Sequence, residues 1–240
     1  MSKKKKITIV VVTVFILIAA VAGAFALIMQ KQTDQFNDVM AEVSQINELT
    51  NQEYTANIDR EKLNELLERR VSGGKYGQVE DAFKNYMTDL YAIVYDATDA
   101  AGDEAFSTFL SPNNIEQDGP AFDNSRKTAE ELITRLETDK EKYTEMVTAN
   151  AVDSYSQRAG LEGKYKEMYD TILSAHKTSG EDPDQFVSSI DSNLSDLAVL
   201  NDIFDFLGEN KDNWYLEDGK IIFRTEELYN NYADLTGKLS

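Results

Sequence analysis

The chain carries no cysteine, one histidine, one tryptophan and three prolines in 240 residues. Without cysteine there are no disulfide staples, no thiolate nucleophile and no attachment point for a lipoprotein anchor. With His176 alone, zinc sites, Cys-His dyads and haem ligation lack their ligands. A di-iron bundle site needs Glu-x-x-His on two helices and cannot be assembled. No cofactor is therefore expected. Basic residues are also scarce, 24 Lys+Arg against 43 Asp+Glu for a net charge of −19, a field that repels nucleic acid and anionic headgroups. No G-x-S-x-G elbow, P-loop or G-x-G-x-x-G is present.

What the chain does have is one long apolar run, Ile7 to Met29, 23 residues without a charge. At about 1.5 Å per residue a helix of this length crosses a hydrocarbon core roughly 30 Å thick. Lys3, Lys4, Lys5 and Lys6 precede it, and Asp34, Asp38 and Glu42 follow it. The positive-inside rule then puts residues 1–6 in the cytoplasm as a basic tail and the body outside, as a single-pass protein of the cell membrane. A secretory signal cut after Ala24 or Ala26 is the competing reading. The run exceeds the roughly 7–15 residues of a signal h-region, which favours an uncleaved signal-anchor. Beyond it remain 20 basic and 43 acidic residues, a net −23, since no acid precedes Asp34.

Past the anchor the spacing is helical. Residues 30–57 read as a stalk with Phe36, Met40, Val43 and Ile46 on one stripe, too short to argue for a coiled coil. Packing onto the domain is expected, with a homodimer through the stalk as the less favoured alternative. Residues 58–240 read as one extracytoplasmic helical domain, beginning with a short helix from Asp59 to Arg70 that ends at Ser72-Gly73-Gly74. Tyr76 to Ala101 is the strongest helix. Its apolar arc of Val79, Phe83, Tyr86, Met87, Leu90, Val94 and Ala97, widened by Tyr91, Ile93 and Tyr95, covers about half the circumference. A linker over 102–119 allows one short helical turn, and Pro120 suits the first position of a helix running to about Asn150, with Asp139 and Lys140 interrupting its stripe. Another helix is expected from Val152 to His176, kinked near Gly160 or Gly163, and a further one from Pro183 to Leu207, stopped by Gly208.

Over 213–223 the period changes from 3.6 to 2 around Asp218-Gly219, the chemistry of a two-residue type I′ hairpin. Counting outward pairs Glu217 with Lys220, Leu216 with Ile221, Tyr215 with Ile222 and Trp214 with Phe223. One face then carries Trp214, Leu216, Ile221 and Phe223, and it must lie on the bundle because an isolated hairpin is marginal in water. Thr225 can cap a last short helix to about Lys238.

The fold class expected is thus mainly α: a transmembrane helix, then a helical bundle with a C-terminal β-hairpin and final short helix. Three stretches, Gly77 to Tyr86, Leu110 to Phe122 with its Asp-Gly-Pro, and Trp214 to Tyr232, resemble an uncharacterised family of membrane-anchored, extracytoplasmic helical proteins of Gram-positive bacteria, over residues 60–240. The resemblance implies a full-length domain of that kind and brings no known activity.

Chemistry is weakly signalled. The Ser-x-x-Lys tetrads Ser72 to Lys75 and Ser174 to Lys177 have the spacing of an exported acyl-enzyme but lack a Lys-Thr-Gly companion, and chance explains them better. The acids around Asp96, Asp99, Asp103 and Glu104 lack the order of an EF-hand loop. The sequon at Asn193 falls inside a helix and reads as chance. Twelve tyrosines lie mainly on inner stripes beside Met87, Met146 and Met168. Core packing with hydroxyls reaching the surface explains them best, and a Tyr/Met-lined pocket with Tyr91 and Tyr95 as contacts is the functional alternative. The first reading of function is a non-enzymatic, membrane-tethered binding or scaffold module with an unknown envelope or protein partner. A small-molecule-binding module comes second and an envelope hydrolase using carboxylates third.

Overall fold

A computed structural model describes residues 34–50, 58–178 and 183–239, with backbone alone at 174–178 and 183–184. The expected anchor over 7–29 lies outside the described residues. Among the described residues no helix is long and apolar enough to cross a membrane. The chain is mainly helical: α1 (Asp34–Thr50), α2 (Arg60–Glu68), α3 (Gly74–Ala101), α4 (Glu104–Thr108), α5 (Pro112–Asp118), α6 (Asp123–Met146), α7 (Ala149–Arg158), α8 (Lys164–Thr178) and α9 (Pro183–Glu209). A two-stranded antiparallel hairpin follows, β1 (Trp214–Glu217) and β2 (Lys220–Phe223), and then α10 (Glu226–Thr236). The described residues divide into two compact units, one from Ala97–Thr138 with Ser188 onward, the other from the residues up to Asp96 with Asp139–Val187.

The unit that holds α1, α2, α7 and α8 is built on the broad apolar arc of α3. Phe36, Val39, Val43 and Ile46 of α1 are buried, so the stripe read from the sequence faces the core, with Val39 at the position expected of Met40. Asp59 caps α2 by accepting from the Lys62 N–H at 3.0 Å, and Leu63, Leu66 and Leu67 face inward. Tyrosine edges meet ring faces through this core, Tyr76 against Tyr165 at 5.3 Å and Tyr86 against Tyr155 at 5.5 Å. Such pairs add about 0.5–1.5 kcal/mol beyond the area they bury.

The predicted helix from Val152 to His176 is instead two. α7 ends at Arg158 and α8 begins at Lys164, with Gly160 and Gly163 both at positive φ between them. One left-handed residue ends a helix rather than bending it, and two in four residues reverse the direction of the chain. The helix before them stops earlier than Asn150, because the Thr148 hydroxyl accepts from the Ala151 N–H at 3.2 Å and starts α7 there. Asp139 does not interrupt the inner stripe of α6: it is buried, at 1% exposure.

The second unit is the aromatic one. Phe204 of α9 stacks on Phe122 at 5.0 Å and meets the edge of Phe109 at 5.8 Å. The expected linker over 102–119 folds into α4 and α5, each with a side-chain cap, Asp103 to the Ala105 N–H and Ser111 to the Asn114 N–H. Pro120 does not open α6. It follows a cis Gly119–Pro120 bond in the turn, and α6 starts at Asp123 because Asp118 accepts from the backbone N–H of Asn124 and Ser125 at 3.1 and 2.7 Å. The buried Ser125 hydroxyl also donates to Asp118 and accepts from the Asn114 amide, tying α5 to α6. Burial pushes the Asp118 carboxyl upward, but these three donors and the Asn124 side-chain amide, at 2.8 Å, outweigh it and hold it below the usual range.

Gly208 does not stop α9, which runs on to Glu209. A Cβ there would stand 3.1 Å from the Pro120 carbonyl oxygen, so the glycine serves a close approach within a helix. The hairpin pairs in the register expected from the sequence, with Asp218 and Gly219 both at positive φ as a type I′ turn requires. Trp214 donates its indole N–H to the Leu207 carbonyl at 2.8 Å, and Phe223 packs on Phe206 and Tyr232 at 6.0 and 5.2 Å. Thr225 caps α10 through the Leu228 N–H.

Candidate functional site

α3 buries its apolar arc and leaves a polar stripe, Gln78, Asp81, Asn85, Thr88 and Asp89, at the three- and four-residue spacing of one helix face. With Tyr155, Arg158 and Ala159 at the end of α7 these residues line an open groove of about 500 Å³. All of it lies within one compact unit. The size falls in the ~300–1,000 Å³ range of small-ligand clefts.

Tyr155 organises the groove. Its ring is buried against Tyr86, its hydroxyl donates to Asp89 Oδ2 at 2.6 Å, and the Arg158 guanidinium lies 4.0 Å over its face. Burial raises the Tyr155 pKa and the hydrogen bond to the Asp89 carboxylate adds to that, so the phenol remains a donor at neutral pH. Asp81 is held by Arg70 at 3.0 Å. Asp89 has the Tyr155 hydroxyl and no cation among the described residues. Apart from the Tyr155 ring, Arg158 has long contacts to Ser154 of its own helix, at 3.4 and 3.5 Å, and no ion pair among the described residues. Gln78 contributes an amide oxygen that is buried and receives no hydrogen bond.

Behind the groove, on the inner side of α3, lies a buried ionic cluster. Lys84 gives its three protons to Glu42, Glu80 and the Arg69 carbonyl at 2.8, 2.9 and 2.6 Å. Glu42 also takes the Arg69 guanidinium in a two-pronged contact, and Glu80 accepts from the backbone N–H groups of Val71 and Ser72 at 2.9 Å each. Burial raises both carboxyls, yet the donors prevail and both pKa values lie below the usual glutamate range. Two acids balance two bases and their hydrogen bonds are filled, so the cluster locks the α2 to α3 connection and leaves no group to react. The Ser72 hydroxyl is spent on Glu80, while Lys75 reaches the Gly160 carbonyl at 3.5 Å, so the first Ser-x-x-Lys tetrad does not form a dyad. The side chains of Ser174, His176 and Lys177 lie outside the described residues.

Tyr91 and Tyr95 stand one turn apart on α3 with ring centroids 5.6 Å apart, away from the groove lining. Tyr91 is buried, and Arg60 covers the Tyr95 ring at 4.3 Å. Their hydroxyls are buried and, among the described residues, have no hydrogen-bond partner, as is the case for both amide atoms of Asn47. The Thr50 hydroxyl adjoins that of Tyr91, falls short of bonding it, and donates to the Asn47 carbonyl at 3.3 Å. Burial drives the Tyr91 pKa far up and that of Tyr95 to about 12. Tyr155 and Tyr169, by contrast, carry their hydroxyls to Asp89 and to the Val152 carbonyl. In the second unit the Asn193 amide donates to the Ser189 carbonyl at 2.8 Å and is buried, which keeps the sequon out of reach.

Sequence reading followed the apolar arc of α3 and so passed over both the groove and the cluster. The signal was present in the polar residues: the groove stripe recurs over three turns on the opposite face, and Glu80 and Lys84 are an (i, i+4) pair set among Val79, Phe83 and Met87. No protein-family model, curated protein or solved structure matches the chain.

Proposed function

We propose that this chain is a non-enzymatic binding module, tethered by residues 7–29 with its helical body outside the membrane, and that it takes its ligand or partner in the groove between α3 and α7. The observation that carries the reading is the contrast within one unit: the buried charges of Glu42, Glu80 and Lys84 are paired with one another and with Arg69, whereas the groove charges Asp89 and Arg158 have no ion-pair partner among the described residues. Groups left uncommitted along a cleft of ligand size are available for recognition. Hydrolysis by carboxylates is not supported there. Asp81 and Asp89 stand about 12 Å apart along the helix axis, beyond the roughly 5–9.5 Å of a glycosidase pair, and Asp81 is already bound to Arg70.

The test uses the intact chain in its own membrane. A photoreactive residue replacing Asn85, which is exposed in the groove, is expected to form adducts, and one replacing the exposed Lys127 is not. Adducts from Lys127 alone would move the binding surface away from α3.

A further inference from the structure

The groove's unfilled chemistry defines a ligand class, and this inference rests on the groove being the binding surface. Tyr155 holds an anion at its hydroxyl and a cation over its ring face, Asp89 at 2.6 Å and Arg158 at 4.0 Å. The two do not reach each other as an ion pair, although both border the same phenol. A ligand complementary to this pair carries a carboxylate for Arg158 and an ammonium for Asp89 on a short backbone. The geometry points to a zwitterionic short peptide with free amino and carboxyl ends as the occupant.

Other classes leave something unmatched. A polyanion meets Asp81 and Asp89, and a simple cation meets Arg158. A neutral glycan would cover Asp89 and Arg158 without pairing either, and desolvating an unpaired charge is costly. A peptide pairs both, and planar bidentate capture of a carboxylate is what a guanidinium does best. Asp81 is occupied by Arg70 at the groove edge, so the ammonium goes to Asp89.

The experiment is calorimetric titration of the full chain in detergent micelles with trialanine, its N-acetylated form, its C-terminal amide, and the neutral disaccharide diacetylchitobiose. Trialanine should bind, and acetylation or amidation should each weaken it by about tenfold or more, the loss of one charge-assisted contact. In Arg158→Gln the amide and the free peptide should bind alike, and in Asp89→Asn the acetylated and free forms should bind alike. Both side chains are exposed, and circular dichroism checks that the variants remain folded. Equal binding of all three peptides, or no binding of trialanine at millimolar concentration, overturns the zwitterion assignment. Binding of the disaccharide alone, lost in Arg158→Gln, overturns the assignment and keeps the groove. Trialanine binding unchanged in both variants puts the site elsewhere and takes the groove reading with it.

Discussion

Lys84 is the residue on which one unit turns, because its ammonium joins α1, the end of α2 and α3 at a single buried point. Lys84→Met would leave Glu42 and Glu80 buried with one cation fewer, at a cost of about 3–5 kcal/mol in a urea melt. The same carboxyls make stability depend on acid. Their folded pKa values lie below the ordinary value of 4.5, so their contribution is complete above that pH and is lost as pH falls through the folded values. The melting temperature should therefore drop from pH 5 to pH 3, and less steeply in Glu80→Gln than in the parent once the starting difference is removed. Asn47 should behave oppositely. Its amide is buried at 6% exposure with no partner among the described residues, so Asn47→Leu should stabilise the chain by roughly 1–3 kcal/mol. Destabilisation in the same melt would mean that the amide is satisfied in solution. Of this the sequence carries only the (i, i+4) pair of Glu80 and Lys84: Glu42 and Lys84 are far apart in the chain, and charge on an amphipathic helix reads as solvated face until a partner helix is placed over it.

At the scale of elements, legibility followed the strength of the local code. The hairpin was readable to the residue pair because Asp218-Gly219 fixes the turn and alternation fixes the faces. α3 and α9 were readable because their apolar periods run unbroken for more than six turns. Glycine was misread twice, in opposite directions. Gly208 reads locally as a stop and lies within α9, where a neighbouring carbonyl needs the room. Gly160 and Gly163 read locally as a kink and separate two helices, because their left-handed φ is set by how the chain returns and not by a propensity visible locally. At Gly160 a Cβ would meet open space, so Gly160→Ala isolates backbone strain. It should cost about 1–2 kcal/mol, measured by denaturant unfolding, with Gly160→Asn costing less. An alanine variant as stable as the parent would mean that this turn does not hold its φ in solution.

For the whole molecule, charge and the apolar run set the setting in which the groove works. Beyond Met29 the chain carries a net −23, and self-repulsion of that size is screened within about 10 Å at 0.1 M salt. Melting temperature should rise from low to moderate ionic strength. A flat profile would mean that the acids are paired well enough to cancel their mutual repulsion. In the proposed topology an acidic surface would keep the body off anionic headgroups, leaving the tether alone to engage the bilayer and the α3–α7 groove presented outside. The absence of cysteine makes that orientation directly measurable. Asn85→Cys in the groove and Ser2→Cys in the basic tail each give a single thiol for a membrane-impermeant maleimide. On intact cells the account predicts labelling at position 85 and none at position 2 until the membrane is permeabilised. Labelling at position 2 with position 85 shielded would contradict it.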